Sequence, residues 1–148
     1  MLKKYSLRIV LLLLIVFATR TLSFAQKDQV ERLWFDGEKK GKIQIYKAVD
    51  GKFYGKIVWL KEPDRDGKPK TDIYNPDDAR HNDPVLGMLV LKNFNKDGEK
   101  GYEGGTIYDP KVGKTYKCKM TFEGDHLNVR GYIGFSLIGR TEVWTKAD

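Results

Sequence analysis

The sequence has few of the residues that cross-link small domains or hold metal ions. It contains one cysteine, Cys118, and two histidines, His81 and His126, in 148 residues. A single cysteine excludes an internal disulfide framework, and two isolated histidines without a third ligand argue against a zinc site. We therefore predict a fold held by its hydrophobic core alone, with no metal or cofactor and with both histidines as surface polar residues.

The chain also lacks a catalytic signature. No serine in a nucleophile-elbow setting accompanies His81. The glycines at positions 104, 105, 131, 134 and 139 precede no helix N-terminus, which phosphate-binding loops require. We expect no enzymatic activity, and an enzyme that uses the acidic loop described below is a minor alternative.

The one long apolar run is too short to cross a bilayer. Residues 9–18 are ten consecutive apolar residues preceded by three basic ones, whereas a spanning helix needs about 20. Residues 23–25, Ser-Phe-Ala, fit the small-x-small rule for cleavage. We predict a signal peptide over residues 1–25 that is cut after Ala25, with an uncleaved N-terminal anchor as the alternative. The protein is then periplasmic or secreted and has no stable membrane span after cleavage.

Removal of the signal peptide changes the size and charge of the chain. Residues 1–25 contain four of the 27 basic residues and none of the 20 acidic ones, so residues 26–148 carry a net charge of +3 rather than +7. These 123 residues make one domain. A charge this small in an exported protein gives little support to a nucleic-acid partner.

Eight short segments with strand character follow one another. They are residues 33–35, 42–49, 52–60, 87–94, 102–108, 115–122, 127–132 and 139–145. Turn residues separate them, and Asp50-Gly51 is the strongest hairpin signal. The pattern predicts an all-β fold, an eight-stranded antiparallel up-and-down barrel, with a two-sheet sandwich as the alternative.

Strict alternation then assigns side chains to faces of these strands. It places Phe53, Gly55, Ile57 and Trp59 on one face of the third strand, and Gly55 suggests a bend or bulge. It also places Cys118 on the apolar face of its strand, as a buried small hydrophobe.

Residues 61–86 interrupt the strand pattern. Four of the five prolines lie there, which predicts a long loop without strands and a short helix near residues 76–80, capped by Asn75. Loops of this length are often functional lids, so Asp72, Asn75 and Asp77 are loop candidates for a site. Calcium is disfavoured because Lys68 and Lys70 intrude and no Glu stands at EF-hand spacing. Asx-turns and helix capping are the alternative role of these side chains.

Several segments resemble one bacterial family. The sequences of residues 55–60 (GKIVWL), 75–77 (NPD), 104–116 (GGTIYDPKVGKTY) and 127–144 (LNVRGYIGFSLIGRTEVW) are similar to the exported proteins grouped as domain of unknown function 2147, DUF2147. That resemblance implies a lipocalin-like barrel of the calycin kind and a small apolar ligand, but no reaction. In lipocalins an early Gly-x-Trp motif is followed, late in the chain, by an Arg that packs on the Trp. The resemblance assigns these two roles to Trp34 and Arg140, with Arg32 at the position of the Gly.

The candidate ligand-binding residues are aromatic and arginine side chains on the barrel strands. They are Trp59, Tyr116, Tyr132, Arg140 and Trp144. An arginine with tyrosine hydroxyls in an apolar barrel can hold a carboxylate head group by charge-assisted hydrogen bonds. We predict a small lipophilic or fatty-acid-like ligand beneath the 61–86 loop. The alternative is a solid-cored structural or interaction module of the cell envelope, in which Arg140 stacks on Trp34 or pairs with Glu142.

Overall fold

The computed structural model describes residues 26–148, so the predicted signal peptide lies outside the described residues. The ten strands are β1 (Leu33–Phe35), β2 (Gly41–Lys47), β3 (Phe53–Leu60), β4 (Asp64–Arg65), β5 (Lys68–Pro69), β6 (Leu89–Asp97), β7 (Gly101–Asp109), β8 (Lys114–Phe122), β9 (His126–Tyr132) and β10 (Gly139–Lys146). One 3-10 helix covers Asp78–Arg80. No helix within residues 26–148 is long and apolar enough to span a membrane.

Eight of the strands form a closed antiparallel barrel in the order β1-β10-β9-β8-β7-β6-β3-β2. Consecutive barrel strands pair through short hairpins, except where the long loop joins β3 to β6. The predicted up-and-down barrel is confirmed, and the sandwich alternative is wrong.

The three residues of β1 close the barrel. Trp34 pairs with Ile43 of β2 on one side and with Lys146 of β10 on the other. Its side chain is fully buried, and its indole nitrogen donates a hydrogen bond of 2.9 Å to the carbonyl oxygen of Val30. The ring meets the edge of Phe122 at 6.2 Å between centroids. The segment before β1 therefore seals this end of the barrel, which we call the closed end.

Large side chains fill the interior near the closed end. The fully buried ones include Trp34, Ile45, Phe53, Phe94, Tyr102, Met120 and Leu127. Phe53 and Tyr102 pack edge to face at 5.1 Å. Burying each such side chain contributes about 1.5–3 kcal/mol, so this half of the barrel is the main source of stability.

A hydrogen-bonded cluster ties the N-terminal segment to the barrel. Asp28 accepts hydrogen bonds from the hydroxyl of Tyr102 and, at 2.8 Å, from the ammonium of Lys96. Although burial acts to raise the pKa of Asp28, the hydrogen bonds from Lys96 and Tyr102 outweigh it and hold the pKa below its usual value. The ionised carboxylate is therefore part of the closed end at neutral pH.

A bulge in β3 corrects the predicted position of Trp59. Ile57 pairs with Ile43, but the next pair is Trp59 with Lys42, so one extra residue is accommodated in β3. The extra residue shifts the alternation by one position. Trp59 consequently points outward, beneath the ammonium of Lys42 at 5.5 Å, and Leu60 replaces it on the inner face.

Two glycines let β6 side chains lie close to neighbouring strands. A Cβ atom on Gly105 would lie 2.5 Å from the ring of Phe94, and one on Gly55 would lie 2.8 Å from Leu91. Phe94 and Leu91 are both fully buried. These glycines therefore leave room for core side chains rather than for a ligand.

The long loop contains more structure than its prolines suggest. β4 and β5 form a two-stranded hairpin, and Thr71 bridges to Pro84. The prediction of a loop without strands is wrong because Pro69 lies at the end of an isolated hairpin, where its missing N–H is tolerated. The predicted short helix is present as the 3-10 turn, but its cap is Asp77, which accepts from the Ala79 amide at 3.0 Å, rather than Asn75.

We expect Gly105→Ala to destabilise the protein by about 1–3 kcal/mol, because the added methyl group collides with the Phe94 ring. Gly131→Ala is the matched control, since its Cβ would meet Ile107 at 3.5 Å, an ordinary contact. That variant should change stability by less than about 1 kcal/mol. Urea denaturation of both variants measures the difference, and equal midpoints would show that the close approach at Gly105 is unimportant.

Candidate ligand-binding cavity

The half of the barrel opposite the closed end is not filled by side chains. It contains a cavity of about 600 Å³ that opens to solvent. The turns around residues 36–41, 109–111 and 133–138 border the opening together with part of the 61–86 loop. We call this opening the mouth.

The base of the cavity is apolar. Its walls include Ile43, Ile57, Val85, Val90, Ile107, Val129 and Trp144. Six of them come from six different barrel strands, and Val85 comes from the end of the long loop. Such a surface favours contact with an apolar group over contact with water.

Arg140, Glu142 and Trp144 follow one another on the inner face of β10, opposite Gly131, Val129 and Leu127. The Trp144 indole donates a hydrogen bond of 3.2 Å to Glu142. A guanidinium nitrogen of Arg140 lies 3.8 Å from the same carboxylate, and the Arg140 side chain is 79% exposed. The strand therefore runs from an apolar base at Trp144 to a cationic group at the mouth.

Glu142 is one of the cavity residues that the sequence did not identify as part of a binding site. The alternation of Arg140, Glu142 and Trp144 along β10 is the signal that places it beside the two predicted residues.

The other predicted residues are divided between the inside and the outside of the barrel. Tyr116 faces inward opposite Ile107 and lines the cavity. Tyr132 borders the mouth, but it pairs with Lys117 on the outward-facing side of the sheet. Trp59 does not line the cavity, because the β3 bulge directs it outward.

Basic side chains outnumber acidic ones around the cavity. The basic residues are Lys40, Lys61, Arg65, Lys70, Lys111 and Arg140, and the acidic ones are Asp36, Glu62, Asp109 and Glu142. Part of the excess is offset by ion pairs, such as Lys111 with Glu38 at 3.5 Å. With Glu38, which pairs with both Lys40 and Lys111, the count is six cations against five carboxylates, and this net positive charge favours an anionic group at the mouth.

The loop candidates form an anchor for the long loop rather than a lining of the cavity. Asp72 is fully buried, and both its carboxylate oxygens lie 2.8 Å from the hydroxyl of Tyr108, which donates to them. Asn75 donates to the same carboxylate at 2.7 Å and accepts from the Asp77 amide at 2.9 Å. Burial first, and then the hydrogen bond to Asp72, raise the pKa of Tyr108 to about 12.

A second contact fixes the same loop to the β7–β8 turn. Gly113 has a φ of 66°, and a Cβ there would lie 1.6 Å from the carbonyl oxygen of Tyr74. Only glycine fits this approach without moving the backbone. The long loop is therefore held at two points beside the mouth.

The proposed pairing of Trp34 with Arg140 is wrong. Arg140 begins β10 at the mouth, whereas Trp34 pairs with Lys146 at the other end of that strand. The guanidinium over the Trp34 ring belongs to Arg32, at 6.0 Å. Arg140 is instead near Glu142, which was the other alternative.

The remaining polar candidates, Cys118 and the two histidines, do not line the cavity. Burial, and to a lesser extent Glu142, raise the pKa of the buried Cys118 thiol to about 12, which makes it a poor nucleophile. His81 lies 2.8 Å from the Asn75 carbonyl oxygen, and His126 contacts Asp125. Within residues 26–148 no group of three His, Cys, Asp or Glu side chains is placed to hold a metal ion.

We expect Tyr108→Phe to destabilise the protein by about 1–3 kcal/mol at pH 7, because the buried Asp72 carboxylate loses a donor. The folded pKa of Tyr108 lies above its unfolded value of about 10, so this contribution is present below pH 10 and is lost as the pH rises towards 12. Urea titrations of wild type and variant from pH 7 to pH 11 measure it. Tyr74→Phe, at a half-exposed ring, is the control. A constant difference up to pH 11 would contradict the assignment.

Two comparisons identify what the chain resembles. Protein HP1028 from Helicobacter pylori, whose structure is described as belonging to the lipocalin family, superposes with a TM-score of 0.72 at 22% identity, over 82% of this chain and 84% of that one. No curated protein matches the chain. The model of an uncharacterized family conserved in bacteria, DUF2147, matches residues 31–146. The chain therefore belongs to the DUF2147 family, and its fold is that of a lipocalin-like barrel.

Proposed function

We propose that this protein binds one small lipophilic molecule with an anionic head group, such as a fatty acid, in the open half of its barrel. The observation that carries the proposal is the cavity of about 600 Å³ with an apolar base and a cationic mouth. Small-molecule sites usually measure about 300–1,000 Å³ and combine apolar walls with a few placed polar groups. The lipocalin-like fold is consistent with such a role.

The charges on β10 give the ligand a direction. An acyl chain would lie against Ile57, Ile107 and Trp144, and a carboxylate would lie near Arg140. Glu142 lies deeper in the cavity than Arg140, so its negative charge opposes deeper entry of the ligand's carboxylate. The head group would therefore stay at the mouth, where the exposed guanidinium can donate two hydrogen bonds to it.

A solid-cored structural role explains the cavity less well. Packed interiors have few voids larger than a water molecule, and a module that served only as a scaffold would have no need for this opening. We propose a binding role and no catalytic one.

We also propose that the protein works outside the cytoplasm, in the periplasm or as a secreted protein. The support is the sequence of residues 1–25, in which three basic residues precede ten apolar ones and a small-x-small site. The barrel and its N-terminal seal are built from residues 28–146, which follow the predicted cleavage site.

If the protein binds such a ligand, three variants should differ in their affinity for laurate. Arg140→Gln should weaken laurate binding by about five- to tenfold, because one exposed group that makes charge-assisted hydrogen bonds is lost. It should leave the binding of dodecanol, which has no carboxylate, unchanged. Ile107→Trp should weaken binding of both, because the larger indole occupies part of the apolar base where the acyl chain would lie. Displacement of a fluorescent fatty acid measures all the affinities.

Val143→Trp is the control for added bulk, because Val143 lies on the outward face of β10. It should bind laurate like wild type. The proposal fails if wild type binds neither compound, or if Ile107→Trp binds as well as Val143→Trp.

The export proposal predicts an N-terminus at Gln26. Expression in a bacterial host and intact mass measurement of the periplasmic fraction should give the mass of residues 26–148. Changing Ala25 to a large charged residue, Ala25→Arg, should block the cut. A full-length mass in the soluble periplasmic fraction of wild type would contradict the prediction.

A further inference from the structure

The β9–β10 turn exposes four large apolar side chains at the mouth. Residues 133–138, which we call the apolar tip, contain no charged side chain. Ile133, Phe135, Leu137 and Ile138 are between 67% and 89% exposed. Single exposed apolar residues are ordinary, but large contiguous ones mark interaction sites.

The backbone of the apolar tip is held in place. The guanidinium of Arg130 donates to the carbonyl oxygens of Ser136 at 2.6 Å and of Leu137 at 3.2 Å. Within the turn, the Ile138 amide donates to the Phe135 carbonyl oxygen at 3.0 Å. The apolar side chains therefore project from a turn that has its own hydrogen bonds.

The apolar tip is continuous with the cavity. Ile133 and Ile138 both border the cavity as well as solvent. The neighbouring β7–β8 turn adds a further exposed apolar residue, Val112. A molecule leaving the mouth beside this turn would pass from one apolar surface to another.

Several basic residues lie near the apolar tip in the sheet. Arg140 follows it after Gly139, and the exposed Lys117 pairs with Tyr132, the residue that precedes it. Lys114 is also exposed, at the start of β8, although it pairs with Asp109 across the hairpin. A projecting apolar surface backed by cations is complementary to a bilayer whose acyl core lies beneath anionic head groups.

We infer that the apolar tip inserts into the surface of an anionic lipid bilayer and brings the mouth of the barrel against it. A convex turn is suited to a deformable lipid surface, whereas a protein partner would need a matching groove. This docking does not require a ligand in the cavity. The Ile107→Trp variant should dock as wild type does, so the inference can fail or succeed separately from the proposed ligand.

A fluorophore at the apolar tip tests the inference in the full chain. Ser136→Cys places a half-exposed thiol in the apolar tip, where it can be labelled selectively since Cys118 is buried. An environment-sensitive dye at position 136 should shift to the blue with vesicles of phosphatidylcholine and phosphatidylglycerol in equal amounts. The same dye at Val49→Cys, on a fully exposed apolar residue of the β2–β3 hairpin at the closed end, should not shift.

The double change Phe135→Ser with Leu137→Ser should lower the affinity of the protein for vesicles by about tenfold or more, because two large apolar side chains are removed. The dye at position 136 reports this affinity. Added salt should weaken docking as well. The inference is overturned if the dye at position 136 does not shift, or if the dyes at 49 and 136 shift equally. A shift at 136 that follows protein concentration without vesicles would show instead that the tip contacts a second copy of the chain.

Discussion

Closure of the barrel at Trp34 is the constraint on which the other features depend. β1 contributes only three residues, and yet it is hydrogen-bonded to both β2 and β10. The buried indole, its bond to the Val30 carbonyl oxygen and its contact with Phe122 hold this short strand in place. A closed barrel has no free strand edges, and its strands then surround an interior of fixed width.

The interior is divided along the barrel axis because the large side chains are concentrated at one end. Tyr102, Phe53 and Phe94 fill the closed end, and glycine at position 105 leaves space for them. Nearer the mouth the inward residues are mostly aliphatic, and they do not meet across the barrel. The packed half can supply the stability, so the open half is free to hold a ligand. The anchor of the long loop at Asp72 and Tyr108 keeps one side of the opening in place.

Most of the fold could be predicted from the sequence, because it depends on local patterns. All eight barrel strands were expected close to their observed bounds, since period-two alternation and turn residues are written in neighbouring positions. Trp59 was misplaced because a bulge changes the alternation by one residue and leaves no clear local signal. The β4–β5 hairpin was missed because its prolines suggested an irregular loop.

The candidate site was harder to predict because it depends on contacts between distant segments. The sequence predicts Tyr116 and Trp144 as ligand-binding candidates, and both line the cavity. The partner of Trp34 was assigned to Arg140 by resemblance, but the distance along β10 rules it out. Asp72 and Asn75 were noticed for their chemistry, and only their contacts show that they anchor a loop. The existence of a cavity depends on the sum of side-chain volumes around the barrel, which no single segment reveals.

We propose that a ligand enters the open half of the barrel and leaves the packed half unchanged. Methyl NMR of isoleucine-labelled protein during a laurate titration tests it directly, because Ile57 and Ile107 line the cavity while Ile45 is buried in the packed half. We expect shifts of the Ile57 and Ile107 methyl signals that saturate at one ligand per chain, with the Ile45 signal unmoved. Shifts confined to exposed methyl groups such as those of Ile73, or a large shift of Ile45, would contradict it.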